Sequence, residues 1–166
     1  IFGLDVERRV SRRVSFGLDR YTSLAASADG RRVVATLASP KGTLWRVPVS
    51  GARAEMSAAR RIPLNTRSGS SPRFGAGHLL YVSSKPTGDS IWRLQGETAS
   101  EVWSAPDAQI VGAPAVARDG SRIAFSIRRT ERTSLWVANA DGTDARRLGA
   151  SFELQGAPAW TPDGQA

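Results

Sequence analysis

The hydrophobic residues of this chain fall into short segments separated by polar turns. The best-defined stretch contains four of them: Ala113–Ala117, Arg122–Ile127, Ser134–Ala138 and Ala145–Leu148. Asp-Gly pairs lie between these segments, and Asp-Gly between apolar runs indicates a hairpin whose type I′ turn has positive φ at both central residues. The pattern therefore predicts a four-stranded antiparallel meander. No window has clear helical periodicity, and Ala52–Arg61 is predicted to be a long loop.

The same pattern recurs with a period of about 44 residues. The segment GAPAVARDGSRIAFS (112–126) is matched by GAPAWTPDG (156–164), by SLAASADGRRVVAT (23–36) and by SPRFGAGHLLYVS (71–83). Turn glycines mark the four copies at Gly30, Gly77, Gly120 and Gly164, and Trp45, Trp92 and Trp136 follow the first three. The copy at 71–83 has Ala76-Gly77 in place of Asp-Gly and is one residue shorter. We expect its first hairpin to be tighter or irregular.

The N-terminal residues fit the repeat in a different phase. IFGLDVERRVSRRV (1–14) aligns without gaps with LWVANADGTDARRL (135–148), so that Phe2 corresponds to Trp136 and Arg13 to Arg147. The chain is therefore expected to open in the second half of one repeat and to close in the first half of another. The predicted organisation of residues 1–166 is a single domain with segments 1–15, 21–65, 66–105, 110–149 and 155–166.

Both faces of each predicted sheet carry apolar residues, so each sheet needs a neighbour on either side. Four-stranded repeats of this length are typical of β-propeller blades, which bury face against face around an axis. The prediction is an all-β section of a β-propeller, with three complete four-stranded blades and parts of two flanking ones. We expect Leu24, Ala115 and Ala159 on innermost strands. The three repeated tryptophans are expected to be core wedges between blades.

The repeats resemble the WD40-like PD40 repeats of the six-bladed TolB-type propeller. GAPAWTPDG, and GAPAVARDGSRIAFS followed by LWVANADGTDARRL, carry the resemblance over nearly the whole chain. A narrower resemblance is to propeller halves of predicted bacterial proteins that also hold a serine/threonine kinase or a winged-helix DNA-binding domain. This chain has no kinase motif. The TolB resemblance implies a periplasmic or extracytoplasmic location.

The chain length limits what kind of ring it can form. A six-bladed ring at this period needs about 264 residues, more than the 166 present. We therefore expect a section of a larger propeller. An open section exposes blade edges and an apolar face, so the isolated chain is expected to self-associate.

Composition narrows the possible partners. The net charge is +8, but the 23 basic residues include only two lysines, and the arginines are spread in pairs along the chain. A nucleic-acid surface would need a contiguous basic stripe, so no specific nucleic-acid partner is predicted. No apolar run reaches the ~20 residues of a membrane helix, so this section is not expected to insert into a membrane. The absence of cysteine excludes disulfides and thiolate sites.

No residue stands out as catalytic, cofactor-binding or metal-ligating. His78 is the one histidine and is expected to be a surface turn residue, since no G-x-S-x-G elbow accompanies it. Asp29, Asp119 and Asp163 recur one per repeat, which indicates a structural role in each turn. Asp141 and Asp144 flank Gly142 without the spacing of a calcium loop, and a hairpin explains both.

Two functions remain open. The first is a non-enzymatic binding or sensing propeller that recognises a protein, peptide or glycan through variable inter-blade loops. The loops that differ most between copies are Ser50–Arg60, Ser84–Ser90 and Arg128–Ser134. The alternative is a regulatory propeller that gates access to a prolyl-peptidase-type hydrolase domain outside this chain. No cofactor is expected in either case.

Overall fold

The computed structural model describes residues 2–13, 20–38, 41–51, 53–130, 132–149 and 156–164. The chain divides into two compact units, Ile1–Pro40 and Lys41–Ala166. Strands are the main regular structure of the described residues in both units, and one short 3-10 helix lies at Met56–Ala58. The predicted all-β fold is confirmed.

Sixteen strands are formed by the described residues. In the first unit they are β1 (Phe2–Asp5), β2 (Val10–Arg13), β3 (Arg20–Ala26) and β4 (Val33–Ala38). The second unit begins with four short strands: β5 (Trp45–Arg46), β6 (Val49–Ser50), β7 (Arg53–Ala54) and β8 (Arg60–Arg61). It continues with β9 (Ser70–Phe74), β10 (Leu79–Lys85), β11 (Gly88–Gln95), β12 (Thr98–Ser104), β13 (Gln109–Val116), β14 (Arg122–Arg129), β15 (Arg132–Asn139) and β16 (Arg146–Leu148).

The first unit consists of two antiparallel hairpins, β1–β2 and β3–β4. In β1–β2, Phe2 lies opposite Arg13. In the second unit, Trp136 lies opposite Arg147 on β15 and β16. These are the residues that the sequence alignment of 1–14 with 135–148 makes equivalent. The two segments therefore share the same strand register.

Two four-stranded antiparallel sheets form most of the second unit. Sheet I has the order β12-β11-β10-β9, and sheet II has the order β13-β14-β15-β16. In each sheet the strand that comes first in the sequence contains a proline, Pro72 in β9 and Pro114 in β13. Both prolines lie where the pairing register with the next strand shifts. A bulge accommodates proline because a bulged residue does not need its N–H for the ladder.

The strands of residues 21–65 are paired in two-stranded ladders. They form three two-stranded ladders, β3–β4 in the first unit and β5–β8 and β6–β7 in the second. Ala52–Arg61, predicted to be a long loop, contains the 3-10 helix and the strands β7 and β8. The connection from Trp45 to its partner Arg61 is longer than the connection from Trp92 to Glu101 in sheet I. The extra length folds back on itself as the β6–β7 hairpin, which the turn residue Gly51 closes with a φ of 59°.

The core of the second unit lies between successive sheets. One face of sheet I packs against one face of sheet II. The fully buried side chains between them include Leu80 and Ile91 from sheet I and Ile123 and Phe125 from sheet II. The opposite face of sheet I packs on residues that precede it, and the opposite face of sheet II packs on Trp160. Face-to-face stacking of consecutive sheets is the arrangement predicted from their two apolar faces.

The first strands of successive copies lie side by side. β9 contacts β13, and a Cβ at Gly112 of β13 would lie 2.8 Å from the Cβ of Ala157 in the next copy. A Cβ at Gly120 would come equally close to Ala76 in the preceding copy. Small residues therefore occur where neighbouring copies converge, as expected for innermost strands. Ala115 is buried on this side, whereas Ala159 and Leu24 are exposed, Leu24 in the first unit.

The Asp-Gly turns are not the predicted type I′ turns. Gly120 has a φ of 74°, but Asp119 is not among the residues with positive φ. The N–H of Gly120 donates to the carbonyl of Ala117, and the N–H of Ala117 donates to the carbonyl of Arg122, so four residues rather than two form the loop. The copy with Ala76-Gly77 has the tighter turn, because Gly75 and His78 close it directly.

Candidate recognition groove

The recurring aspartates have a structural role in their turns. The Asp119 carboxylate accepts hydrogen bonds from the N–H of Ser121 at 3.0 Å and from its hydroxyl at 2.7 Å. These bonds, the backbone one first, lower the pKa of Asp119. In the first unit, bonds from the Ser27 hydroxyl and then the Arg31 N–H lower the pKa of Asp29 in the same way. The Asp163 carboxylate accepts from the Thr161 hydroxyl at 2.6 Å.

Asp141 also shapes a turn. Its carboxylate accepts from the hydroxyl of Thr143 at 2.6 Å and from the N–H at 2.9 Å, and these bonds lower the pKa of Asp141. Gly142 follows because a Cβ there would overlap the carbonyl oxygen of Val102. Asp144 has a φ of 52° in the same loop. Across the part of the chain that the structure describes, no three His, Asp or Glu side chains are grouped closely enough to hold a metal ion.

His78 is half-buried beside its turn rather than freely exposed on the surface. Its Nδ1 lies 3.1 Å from the carbonyl oxygen of Ala76, and only a protonated Nδ1 can donate there. The Nε2 is buried and has no hydrogen-bond partner.

The three repeated tryptophans share a local motif but differ in burial. Each indole Nε1 donates to a hydroxyl two residues earlier: Trp45 to Thr43 at 3.2 Å, Trp92 to Ser90 at 3.0 Å and Trp136 to Ser134 at 3.0 Å. Trp92 and Trp136 are partly buried, and they pack against core clusters. Trp45 is 57% exposed, so the prediction that it is a core wedge is wrong.

Trp45 lines an open groove of about 860 Å³ in the second unit. One side is formed by residues 43–47, and the other by the β9–β10 turn with His78 and by Gly96 of the β11–β12 turn. Buried leucines also line it: Leu44, Leu79 and Leu94. At the rim, Phe74 is 82% exposed. The groove is therefore apolar, with aromatic side chains left open to solvent.

One charged residue, Arg46, is among the described residues that line this groove. No carboxylate lies among them to pair with its guanidinium. The sequence did not single out Arg46 or Phe74, because the segments that surround them are distant in sequence and only the fold brings them together.

Two of the three variable loops lie at the same end of their sheets. Ser84–Ser90 and Arg128–Ser134 contain the β10–β11 and β14–β15 turns, which lie at the ends of their sheets opposite to the β9–β10 turn. Both are short hairpins; Glu131 lies outside the described residues. Ser50–Arg60 leaves the groove just after Val47 and carries the exposed side chain of Met56. Ala52 of this loop also lies outside the described residues.

Comparison with known proteins gives a partial match in sequence. The chain is 47% identical over 42 residues to the Tol-Pal system protein TolB of Anaeromyxobacter dehalogenans strain 2CP-C, and equally to that of Anaeromyxobacter sp. strain K. This match covers 25% of the chain and 10% of each relative. No protein-family model matches the sequence.

Solved structures share the architecture. TolB from Acinetobacter baumannii superimposes with a TM-score of 0.51 at 18% identity, over 86% of this chain and 30% of that one. The putative TolB from Agrobacterium tumefaciens gives a TM-score of 0.54 at 13% identity, over 94% and 76%. The fold is that of a TolB-type propeller. A chain of the nidogen/laminin complex also matches, with a TM-score of 0.52 at 19% identity over 68% of this chain and 42% of that one.

Within the described residues, no helix has the length and apolar character needed to cross a membrane.

Proposed function

We propose that this chain is a recognition module, a non-enzymatic propeller section that binds a protein or peptide as part of a larger multidomain bacterial protein. The observation that carries the proposal is that the recurring polar residues have structural partners, whereas two aromatic side chains are exposed. The recurring aspartates form the turns of their own copies, whereas Trp45 and Phe74 are exposed along one groove. Exposed apolar surface of this kind marks interaction sites on soluble proteins.

The names of similar proteins support the same role. The matching relatives are components of the Tol-Pal system, and one structural neighbour comes from a nidogen/laminin complex. We therefore propose a periplasmic location for the protein. A kinase or winged-helix partner domain remains a prediction, which the flanking reading frame would test. No feature of the described residues favours the alternative, a propeller that gates a prolyl-peptidase-type hydrolase.

Self-association is a second part of the proposal. The outer strand β12 of sheet I, Thr98–Ser104, forms a sheet edge, and edge strands can pair with those of another molecule. Light scattering at tens of micromolar is expected to show species larger than a monomer. A single monomeric species under these conditions would remove this part of the proposal and leave the recognition role unaffected.

The recognition role is tested by selecting displayed random peptides on the immobilised 166-residue chain. We expect a set of related peptides that bind saturably to the folded chain and not to the same chain in denaturant. Catalysis is tested separately by incubating the selected peptides with the chain and measuring their masses, which should not change. The absence of any saturable binder, or cleavage of the peptides, would contradict the proposal.

A further inference from the structure

We infer that the outer strand of sheet I pairs with the same strand of a second copy, antiparallel and through the segment 98–101, and that Lys85 permits this pairing by neutralising Glu101. The inference rests on the proposed self-association and adds its interface, its symmetry and the residue that controls it. Three observations carry it: an open sheet edge, a contact that confines the open part to one segment, and an ion pair that balances the charge of that segment.

The outer edge of β12 has unpaired backbone groups. β12 pairs with β11, and among the described residues no strand pairs with its other edge. Such an edge presents a row of N–H and C=O groups to which another strand can bond. A further sheet stacked on either face of sheet I would leave this edge free, because stacking joins the faces of sheets through side chains. The edge is therefore available whatever packs on the two faces.

A contact with sheet II confines the open part of this edge. At Val102 the pairing with β11 shifts register, and a Cβ at Gly142 in the β15–β16 loop would overlap the carbonyl oxygen of Val102. The next residue, Trp103, packs near Trp136, with ring centroids 6.3 Å apart. The second half of β12 is thus fixed to sheet II, and a bulge also disrupts further pairing at an edge. The segment 98–101 precedes the bulge and keeps a regular register.

The one charge on β12 is held by partners. Glu101 is the only ionisable residue of the strand. Its Oε2 meets Lys85 Nζ, and its Oε1 accepts a hydrogen bond from the Ser104 hydroxyl at 2.6 Å. Charged side chains are a usual means by which edge strands avoid pairing. Because Lys85 balances this charge, the segment has no net charge, and the other three residues, 98–100, are small and uncharged.

The outer edge of sheet II has the protection that β12 lacks. β16 has three residues against seven in β12, and two of the three are arginines, Arg146 and Arg147. Arg147 lies opposite Trp136 as Glu101 lies opposite Trp92, so the two residues occupy equivalent places. A short edge with like charges repels an identical edge. Of the two four-stranded sheets, sheet I is therefore the one whose outer edge suits a second copy.

The segment favours a second copy over a charged partner. In antiparallel pairing about a two-fold axis, the same four residues donate and accept on both sides, so the contact closes at a dimer. The segment carries no net charge, so it offers no specific attraction to a charged peptide strand. The whole chain has a net charge of +8, and two copies therefore repel at long range. Association should strengthen as added salt screens this repulsion.

The first test uses the absence of cysteine from the sequence. Ser100→Cys places a thiol in the segment, and Gln109→Cys places one at an exposed position of β13, the first strand of sheet II. Residues that face each other across an antiparallel pair have Cα atoms close enough for a disulfide. Under mild oxidation, Ser100→Cys should form a cross-linked dimer about tenfold or more faster than Gln109→Cys. Equal rates would contradict the inference.

Matched charge variants test the edge and the role of Lys85 by sedimentation velocity. Ser100→Lys adds a charge to the segment and should weaken dimerisation by about tenfold or more. Gln109→Lys adds the same charge elsewhere and should change dimerisation by less than about twofold. Lys85→Met leaves the Glu101 charge unbalanced and should weaken dimerisation by about threefold. Combining Lys85→Met with Glu101→Gln should restore it. Urea unfolding checks that each variant is folded.

The outcomes separate this inference from the proposals on which it rests. If the chain is monomeric at every concentration, the proposed self-association fails together with the inference, and the recognition role is unaffected. If the chain associates but Ser100→Lys and Gln109→Lys behave alike, self-association stands and the β12 interface is wrong. If Ser100→Lys dissociates the dimer but Lys85→Met does not weaken it, the role of Lys85 is wrong. Species larger than a dimer that persist in Ser100→Lys would place the interface elsewhere.

Discussion

Trp136 and Trp45 are the same residue of the repeat in two different surroundings. Each indole donates to a hydroxyl two residues earlier, and each residue pairs with an arginine on the following strand of its ladder. Trp136 nevertheless packs near Trp103, with ring centroids 6.3 Å apart, whereas Trp45 is 57% exposed in a groove. The local sequence is sufficient for the strand and the indole hydrogen bond. The two indoles differ in exposure although their local sequence and hydrogen bonding are alike.

The comparison separates two kinds of apolar residue in this chain. Residues between sheets I and II stabilise the fold, because their apolar side chains are buried in the folded chain and become exposed to water when it unfolds. The exposed side chains of Trp45 and Phe74 should contribute little to stability. Each prediction below tests this distinction or measures how far it extends.

The largest difference should come from a pair of phenylalanines. Phe125 is fully buried, 4.9 Å from the ring of Trp103, whereas Phe74 is mostly exposed. Phe125→Ala should lower the free energy of unfolding by about 3–5 kcal/mol because it leaves a cavity. Phe74→Ala should change it by about 0.5 kcal/mol or less. Urea unfolding followed by circular dichroism measures both. Equal losses would mean that another part of the chain covers the groove.

Asp89 tests how firmly the copies are joined. Its buried carboxylate accepts from the N–H of Ile110 at 2.8 Å and so ties sheet I to the first strand of sheet II. Asp89→Ala leaves that N–H without a partner and should cost about 1–3 kcal/mol in the free energy of unfolding. Glu97→Ala, at an exposed turn, is the matched control. A loss no larger than that of the control would show that the link contributes nothing.

The ion pair between Lys85 and Glu101 should contribute less. Lys85 Nζ meets Glu101 Oε2 on the surface of sheet I and also lies 5.7 Å from the ring centre of Trp92. The bond with Lys85, followed by the one with Ser104, lowers the pKa of Glu101. Both side chains are partly exposed, so Lys85→Met should cost about 0.2–1 kcal/mol, and less in high salt. A loss that salt does not reduce would point to the packing of the lysine stem on Trp92 instead.

The smallest effect should be that of Asp119, and it should depend on pH. Its pKa is lowered in the folded chain, so the ionised form stabilises the fold above the ordinary value of 3.8, and this stabilisation is lost as the pH falls below it. Asp119→Asn should therefore lower the melting temperature slightly at pH 6 and have no effect near pH 2. The same difference at both pH values would show that ionisation of Asp119 plays no part.

Much of the fold follows from the sequence, for reasons visible in particular residues. The alignment of Phe2 with Trp136 gives the register of β1–β2 correctly, because register follows the alternation of apolar residues. The turn at Asp119 was predicted with the wrong geometry. Asp-Gly suits several turn types, and the Ser121 hydrogen bonds that select this one involve a residue outside the pair.

The groove could not be predicted in the same way. Its lining combines β5, the β9–β10 turn and the β11–β12 turn, which are separated by tens of residues in sequence. Recurrence of tryptophan indicated that all three copies would be buried alike, and it carried no information about the longer connection after Trp45. Sequence repetition reveals the common scaffold, whereas function depends on where the copies differ.

The most direct test of the account is the solvent accessibility of the three equivalent indoles in solution. Their N–H signals can be assigned by single Trp→Phe variants, and a soluble paramagnetic agent then broadens each according to its exposure. We predict strong broadening of Trp45 and weak broadening of Trp92 and Trp136. Equal broadening of all three signals would contradict face-to-face stacking of the copies and an open groove at Trp45.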